Sequence, residues 1–325
     1  MARMSTTYLG LELANPIVVS SSSLTNSVAK VQNLERFGAG AVVLKSLFEE
    51  QMHEQANFLL HSSEAYPEAA DYLRSYISSN AVADYLEMIK ACKASVSIPV
   101  IASVNCVTVS GWMEYAKAME QAGADAIEIN VYYMPVNTKP SSYYENIYFE
   151  IATQLKKSLK IPFVFKLGSS FTNLVALTDQ LAARGASGVV LFNRYYEPDI
   201  DVRTMRFGSS DPFSSPNDMG HSLRWVSMIS GLVPELQIAA STGIHSGWDV
   251  IRQLLAGAQI TQVCSTLYKN GPEHIGRMLT EVKEWMGKHK YDSLEDFRGV
   301  MNFKNIPDPS LFQRTQYMKY FMDNY

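Results

Sequence analysis

The chain has 325 residues, of which 47% are hydrophobic and 18% charged, with a formal net charge of −4. That much apolar material buries a large core, which excludes a disordered chain or a small disulfide-stapled scaffold. Lys and Arg are scattered without a basic stripe, and the isoelectric point is about 5.9, which argues against a nucleic-acid partner.

The first twenty-odd residues hold Arg3, Glu12, Asn15 and Pro16, and no apolar core of signal-peptide type survives them. Strand-like apolar runs follow at Pro16–Ser20, Ala41–Lys45, Pro99–Val104, Ala126–Val131, Pro162–Leu167, Gly188–Phe192, Gln237–Ala240 and Gln262–Ser265. Near-continuous apolar runs suit a parallel sheet covered by helices on its faces. Between them lie helical patterns at Ser27–Phe37, Ala81–Lys93, Trp112–Ala122, Tyr144–Leu159, Leu174–Arg184, Leu223–Leu232 and Trp248–Ala256, with a last one over Glu273–Lys288. The longest uncharged stretch, Ala94 to Met113, contains Pro99, Asn105 and Gly111 and reads as a strand with its loop, not a membrane span. The expected setting is soluble and cytoplasmic.

Four helices end in a Gly-Ala pair just before a strand: Gly38-Ala39, Gly123-Ala124, Gly185-Ala186 and Gly257-Ala258. Glycine there supplies a left-handed cap. Eight strands with intervening helices and recurrent joints predict an α/β fold, a (β/α)8 TIM barrel forming one domain over 1–325, with 302–325 as a tail. A doubly wound open sheet is the alternative, although no Gly-x-Gly-x-x-Gly follows the first strand. Two connections are long, Phe48–Asn80 and Arg194–Gly220, and both belong on the carboxyl face, where barrels build their sites.

Polar residues at the carboxyl ends of strands are therefore the site candidates: Ser20, Ser21, Lys45, Ser46, Asn105, Glu128, Asn130, Lys166, Asn193, Ser241, Gly243, Ser265 and Thr266. Lysines ending apolar strands are unusual, because a buried ammonium needs a partner. Lys45 and Lys166 are expected to point into one shared cleft, toward an anionic ligand; the alternative is an aliphatic stem that packs while the head reaches water. Small residues in the last two strand-end loops suit a phosphate held by backbone N–H groups. Cys92, Cys106 and Cys264 are far apart and form no metal-ligand spacing, so they are expected as buried, reduced thiols, and no metal is expected.

These residues resemble a family. Tyr8-Leu9-Gly10-Leu11-Glu12-Leu13-Ala14-Asn15-Pro16 looks like the amino-terminal hairpin of class 1 dihydroorotate dehydrogenases, and Val43-Leu44-Lys45-Ser46 like their second strand. Glu128-Ile129-Asn130-Val131, Val164-Phe165-Lys166-Leu167, Leu191-Phe192-Asn193 and Ser265-Thr266-Leu267 with Gly271-Pro272 are similar to further family segments in the same order, from Tyr8 to Asn302. The resemblance implies a TIM barrel that holds FMN, oxidises dihydroorotate to orotate in pyrimidine synthesis by passing a hydride to flavin N5, and forms a homodimer. It implies that Lys166 sits beside the flavin, that Ser20, Ser21, Lys45, Ser46 and Asn105 line it, and that Gly243, Ser265 and Thr266 hold its phosphate. Asn130 and Asn193 would meet both cofactor and substrate.

The sequence also departs from the family. Its catalytic Cys, in Asn-x-Ser-Cys-Pro-Asn, aligns with Tyr133 in Asn130-Val131-Tyr132-Tyr133-Met134-Pro135-Val136-Asn137. Tyr133 and Lys45 are the catalytic candidates, yet a phenol near its reference pKa of about 10 is a poor base at neutral pH. The loop that grips orotate should fall within Phe48–Asn80 but reads Phe58-Leu59-Leu60-His61-Ser62-Ser63-Glu64-Ala65-Tyr66-Pro67, with Glu68 following. His61, His221 and His245 are titratable loop candidates. Two other readings remain: an FMN-binding protein without catalysis, and a Schiff-base aldolase or lyase using Lys166 or Lys45.

Overall fold

A computed structural model describes residues 2–50, 67–106, 109–195, 197–209 and 211–312. Eight short strands form its centre: β1 (Ile17–Val19), β2 (Ala41–Val43), β3 (Val100–Asn105), β4 (Ala126–Asn130), β5 (Phe163–Leu167), β6 (Gly188–Leu191), β7 (Gln237–Ser241) and β8 (Ile260–Val263). Each pairs in parallel with the next, and β8 returns to β1 through Thr261↔Ile17 and Val263↔Val19. The sheet is closed, so the barrel forms and the open doubly wound alternative is excluded.

Around it lie α1 (Val28–Arg36), α2 (Pro67–Ser95), α3 (Val109–Gln121), α4 (Ser141–Ser158), α5 (Leu174–Ala183), α6 (Met219–Leu232), α7 (Gly247–Ala256) and α8 (His274–His289). The four Gly-Ala joints behave as expected: Gly38, Gly123, Gly185 and Gly257 have φ of 94°, 96°, 92° and 111°, the left-handed region that ends a helix. Two elements depart from the sequence reading. β8 spans Ile260–Val263, not Gln262–Ser265, because the polar Thr261 that separates Ile260 from that run is itself a fully buried ladder residue. α2 starts at Pro67, so much of the first long connection is helix. The second long connection carries a hairpin, Pro198–Asp201 paired with Arg206–Ser209. His61 and Glu64, the side chain of Glu68, and residues 313–325 of the tail lie outside what is described.

Strand alternation sorts the interior. Val18, Ala41, Val43, Ile101, Ala126, Val164, Val190, Ala239 and Ile260 form one apolar cluster inside the barrel. Tyr8, Leu9 and Leu13 join it from a hairpin, Thr6–Tyr8 paired with Leu11–Leu13, which caps the barrel's amino end. The opposite strand faces meet the helices in a second, larger apolar layer that includes Ile17, Val42, Ile127, Phe165 and Ile238. The amino end is thus plugged by apolar side chains. Among the described residues, no helix is long and apolar enough to cross a membrane.

Candidate functional site

Two residues beyond the apolar layer on six of the eight strands, the same inward face becomes polar. Val18 is followed by Ser20, Ile101 by Ser103, Ala126 by Glu128, Val164 by Lys166, Ala239 by Ser241 and Ile260 by Gln262, and all six polar residues are buried. Four of them close a ring. Lys166 Nζ donates to Ser20 Oγ at 3.1 Å, and Ser20 Oγ donates to Gln262 Oε1 at 3.0 Å. Gln262 Nε2 donates to Glu128 Oε2 at 2.7 Å, and Glu128 Oε1 lies 3.4 Å from Lys166 Nζ. Glu128 is fully buried. Its Oε1 has the ammonium as a Coulombic neighbour but accepts no hydrogen bond among the described residues. The carboxylate's charge and burial push the Tyr8 phenol beneath it far up, burial being the larger cause.

Above this ring lies a cleft of about 320 Å³. Of the sequence candidates, Ser20, Ser21, Lys166, Asn193, Ser241, Gly243 and Ser265 line it. Ser46 and Asn130 join at one remove. Ser46 Oγ is 3.0 Å from Ser21 Oγ and 2.7 Å from Ser103 Oγ, and Asn193 Nδ2 donates to Asn130 Oδ1 at 2.8 Å. At the far end Ser214 forms a hub: its N–H donates to Ser265 Oγ at 3.0 Å, and its Oγ accepts from the Gly243 N–H at 3.4 Å and lies 3.1 Å from His245 Nε2. Lys269 Nζ donates to the Ser214 carbonyl at 3.0 Å. Burial, and then the Lys269 ammonium, hold the His245 imidazole below its usual value, so it faces this corner neutral at pH 7.

Several candidates lie elsewhere. Lys45 is exposed and lines a separate cavity of about 700 Å³ beside Val28 and Met88, so the two lysines do not share a cleft. The β2 ladder stops at Val43, and residues 44–46 leave it before Leu47 and Phe48 pair with β3; inward parity is lost at Lys45, and Ser46 turns inward. Thr266 is fully buried and donates to the His245 carbonyl at 3.2 Å, bracing the loop below the cleft. Asn105 is half-buried at the end of β3, paired with Phe48. Cys92 and Cys106 are buried as expected, but Cys264 is only half-buried and lines the cleft. Burial pushes its thiol up, against smaller lowering by Ser22 and Lys166.

Tyr133 lines a third cavity of about 280 Å³ with Tyr132, Tyr144, Tyr148, Phe171 and Tyr195. Tyr195 is the shared wall, lining both this cavity and the cleft, with its ring centroid 4.4 Å from that of Tyr132. Burial pushes the Tyr133 phenol up, and Cys106, Glu49 and Tyr143 add to it. Cys106, at the end of β3, is likewise pushed up by burial and by Glu49. The His221 ring is tilted against that of Phe192, with centroids 5.0 Å apart. Residues that the sequence did not single out for the site are Gln262, Ser214, Arg194, Glu197 and Asp211. Alternation from Ile260 was the available signal for Gln262; the others lie in the long connection or at its edge, where no period applies. Arg194 is held at the rim by Asp218 Oδ2 at 3.4 Å and the Asp211 carbonyl at 2.9 Å.

The dihydroorotate dehydrogenase family model matches residues 3–286. Curated relatives include proteins named dihydroorotate dehydrogenase B (NAD(+)), catalytic subunit. That of Thermoplasma acidophilum is 24% identical over 315 residues, covering 92% of this chain and 99% of the relative. That of Methanocaldococcus jannaschii is 23% identical over 307 residues, covering 91% and 97%. With a closed barrel, a buried strand-end lysine at the floor of its carboxyl cleft and a family match over most of its length, the chain belongs to the dihydroorotate dehydrogenase family of oxidoreductases.

Proposed function

We propose that the cleft binds FMN and that the protein oxidises dihydroorotate, or a closely related reduced pyrimidine, at the carboxyl end of the barrel. The observation that carries this reading is Lys166, a buried cation held at the floor of a cleft whose size lies in the range of cofactor pockets. The residues present fit the group. Ser20, Ser21 and Asn193 line the same cleft, and Ser214, Gly243 and Ser265 bring N–H and O–H groups to its far end, where a phosphate would be held. A side chain at Gly243 would run into the backbone at Met219, so this close approach requires glycine.

Bound FMN would supply two-electron chemistry that no side chain here can provide. Lys166 keeps a fixed positive charge where negative charge accumulates, which is worth most in a water-poor site. The paired amides of Asn130 and Asn193 orient one another, and each amide still carries donors and acceptors for the polar edge of a pyrimidine. The Tyr133 phenol, pushed up by its surroundings, keeps its proton at neutral pH and packs against or donates to a ligand; it does not serve as a base. The same observation favours a second reading, an FMN-binding protein with little turnover. The aldolase reading loses ground, because Lys166 Nζ is engaged by Glu128 and Ser20 instead of standing free to attack a carbonyl.

We also propose one domain over 1–325, a homodimer and a cytoplasmic setting. Support for the dimer is the hairpin after β6, where Ile200 and Phe207 pair across the strands, 58% and 80% exposed, beside exposed Val202 and Met205. Support for the setting is three free thiols. The cofactor is tested by adding FMN to flavin-free protein and following quenching of flavin fluorescence. One FMN per chain, with much weaker binding to Lys166→Met, is the expected result, and no binding to the unaltered protein sinks the reading.

A further inference from the structure

The Lys166 ring raises a question of energetics. Placing an ion pair at the centre of a barrel does not by itself stabilise a protein, because desolvation offsets the attraction; apolar residues of the same volume would serve as well or better. This pair is also imperfect. Glu128 Oε2 has a short hydrogen bond from Gln262, while Oε1 has only a 3.4 Å contact with the ammonium. Gln262 occupies one carboxylate oxygen and, through Ser20, holds Lys166 from the other side. The donors run in one direction, Lys166 to Ser20 to Gln262 to Glu128, so the single Ser20 hydroxyl hydrogen is committed, while the ammonium keeps further N–H groups for the cleft. The lysine is shared between the carboxylate below it and the cleft that it lines.

We propose that Glu128 and Gln262 are positioning residues that set how much of the Lys166 charge reaches the cleft. This inference rests on the FMN reading. Glu128 withdraws part of the positive field, and Gln262 prevents the ammonium from collapsing onto both carboxylate oxygens. The two therefore act with opposite sign on any ligand that gains negative charge above Lys166. A ring that merely held the barrel together would give changes of the same sign, or none.

The test is a dye-coupled reductive titration of the FMN-loaded protein and its Glu128→Gln and Gln262→Leu variants, with circular dichroism as a control for folding. Glu128→Gln leaves the ammonium uncompensated and is expected to favour the reduced flavin about tenfold, a rise of about 30 mV in midpoint potential for a two-electron couple. Gln262→Leu lets the ammonium settle on Glu128 and is expected to shift the potential the other way. Glu128→Asp, which keeps the charge, should fall near the unaltered protein. Folded, flavin-loaded variants with unchanged potentials, or with shifts of one sign, overturn the proposal. Should Glu128→Gln not fold, a Gln262→Leu shift to lower potential supports the proposal, and no shift or a rise overturns it. A readout without flavin separates this from failure of the FMN reading. Competitive acetylation of Lys166, read by mass spectrometry, should be faster in Glu128→Gln, because losing the carboxylate favours the free amine; equal rates overturn the proposal even where no flavin binds.

Discussion

Gly243 and Gly10 have nearly the same backbone conformation, with φ of 79° and 75°, and differ in what surrounds them. A Cβ at Gly10 would meet nothing within 4 Å, whereas one at Gly243 would lie 2.7 Å from Met219 Cα and 2.9 Å from Asp218 C and press on Met219 N. Those atoms are backbone at the start of α6, braced by the Ser215–Asp218 capping box, and cannot swing aside as a side chain would. An alanine in the left-handed region costs roughly 1–2 kcal/mol. Overpacking against a rigid neighbour adds about 1–3 kcal/mol. Gly10→Ala should therefore lose about 1–2 kcal/mol and Gly243→Ala about 2–5 kcal/mol. Urea denaturation of both variants measures the difference, and FMN titration measures its functional side. Because Ser214 precedes that capping box in the same loop, Gly243→Ala should also weaken FMN at least tenfold, while Gly10→Ala leaves it unchanged. Equal losses of stability would refute the clash, and unchanged FMN affinity in Gly243→Ala would remove the phosphate from this end of the cleft.

Three further outcomes follow from the same geometry. Tyr133→Phe should lower turnover less than tenfold, since the phenol keeps its proton; a loss of the 10²–10⁴-fold size typical of a positioned base, measured in steady-state assays, would make Tyr133 that base. His245 and His221 both have imidazoles held below the usual value, chiefly by burial, so the unfolded chain binds more protons than the native one as pH falls below about 6.5. Thermal stability should therefore decline from about pH 6.5 downward until the native-state values are passed, and His245→Gln should flatten that decline; a melting temperature constant between about pH 7.5 and 5.5 contradicts it. Phe207→Asp, in the exposed hairpin, should convert a dimer to a monomer in sedimentation equilibrium with the flavin spectrum unchanged, and an unaltered mass excludes this hairpin as the interface.

The barrel was legible because its strands are buried on both faces and the Gly-Ala joints mark where each helix turns into the next strand. The candidate site was legible where it sits on regular strand, as for Asn130 and Lys166, since polar residues at the carboxyl ends of apolar strands stand out. It failed where regularity ends. Lys45 lies two residues past the last ladder pair of β2, and its parity no longer predicts its direction. Ser214 reaches the cleft from an irregular connection. The ring around Lys166 joins Ser20 to Gln262 across 242 positions of sequence, and only barrel closure between β8 and β1 brings the two together.

The most direct test of the central claim is the visible spectrum of FMN-loaded protein during anaerobic addition of dihydroorotate. Loss of the flavin's absorption band near stoichiometric substrate is predicted, with return of the band on admitting an oxidant. A band that persists at excess dihydroorotate would contradict the proposed substrate while leaving the barrel and its cofactor cleft in place.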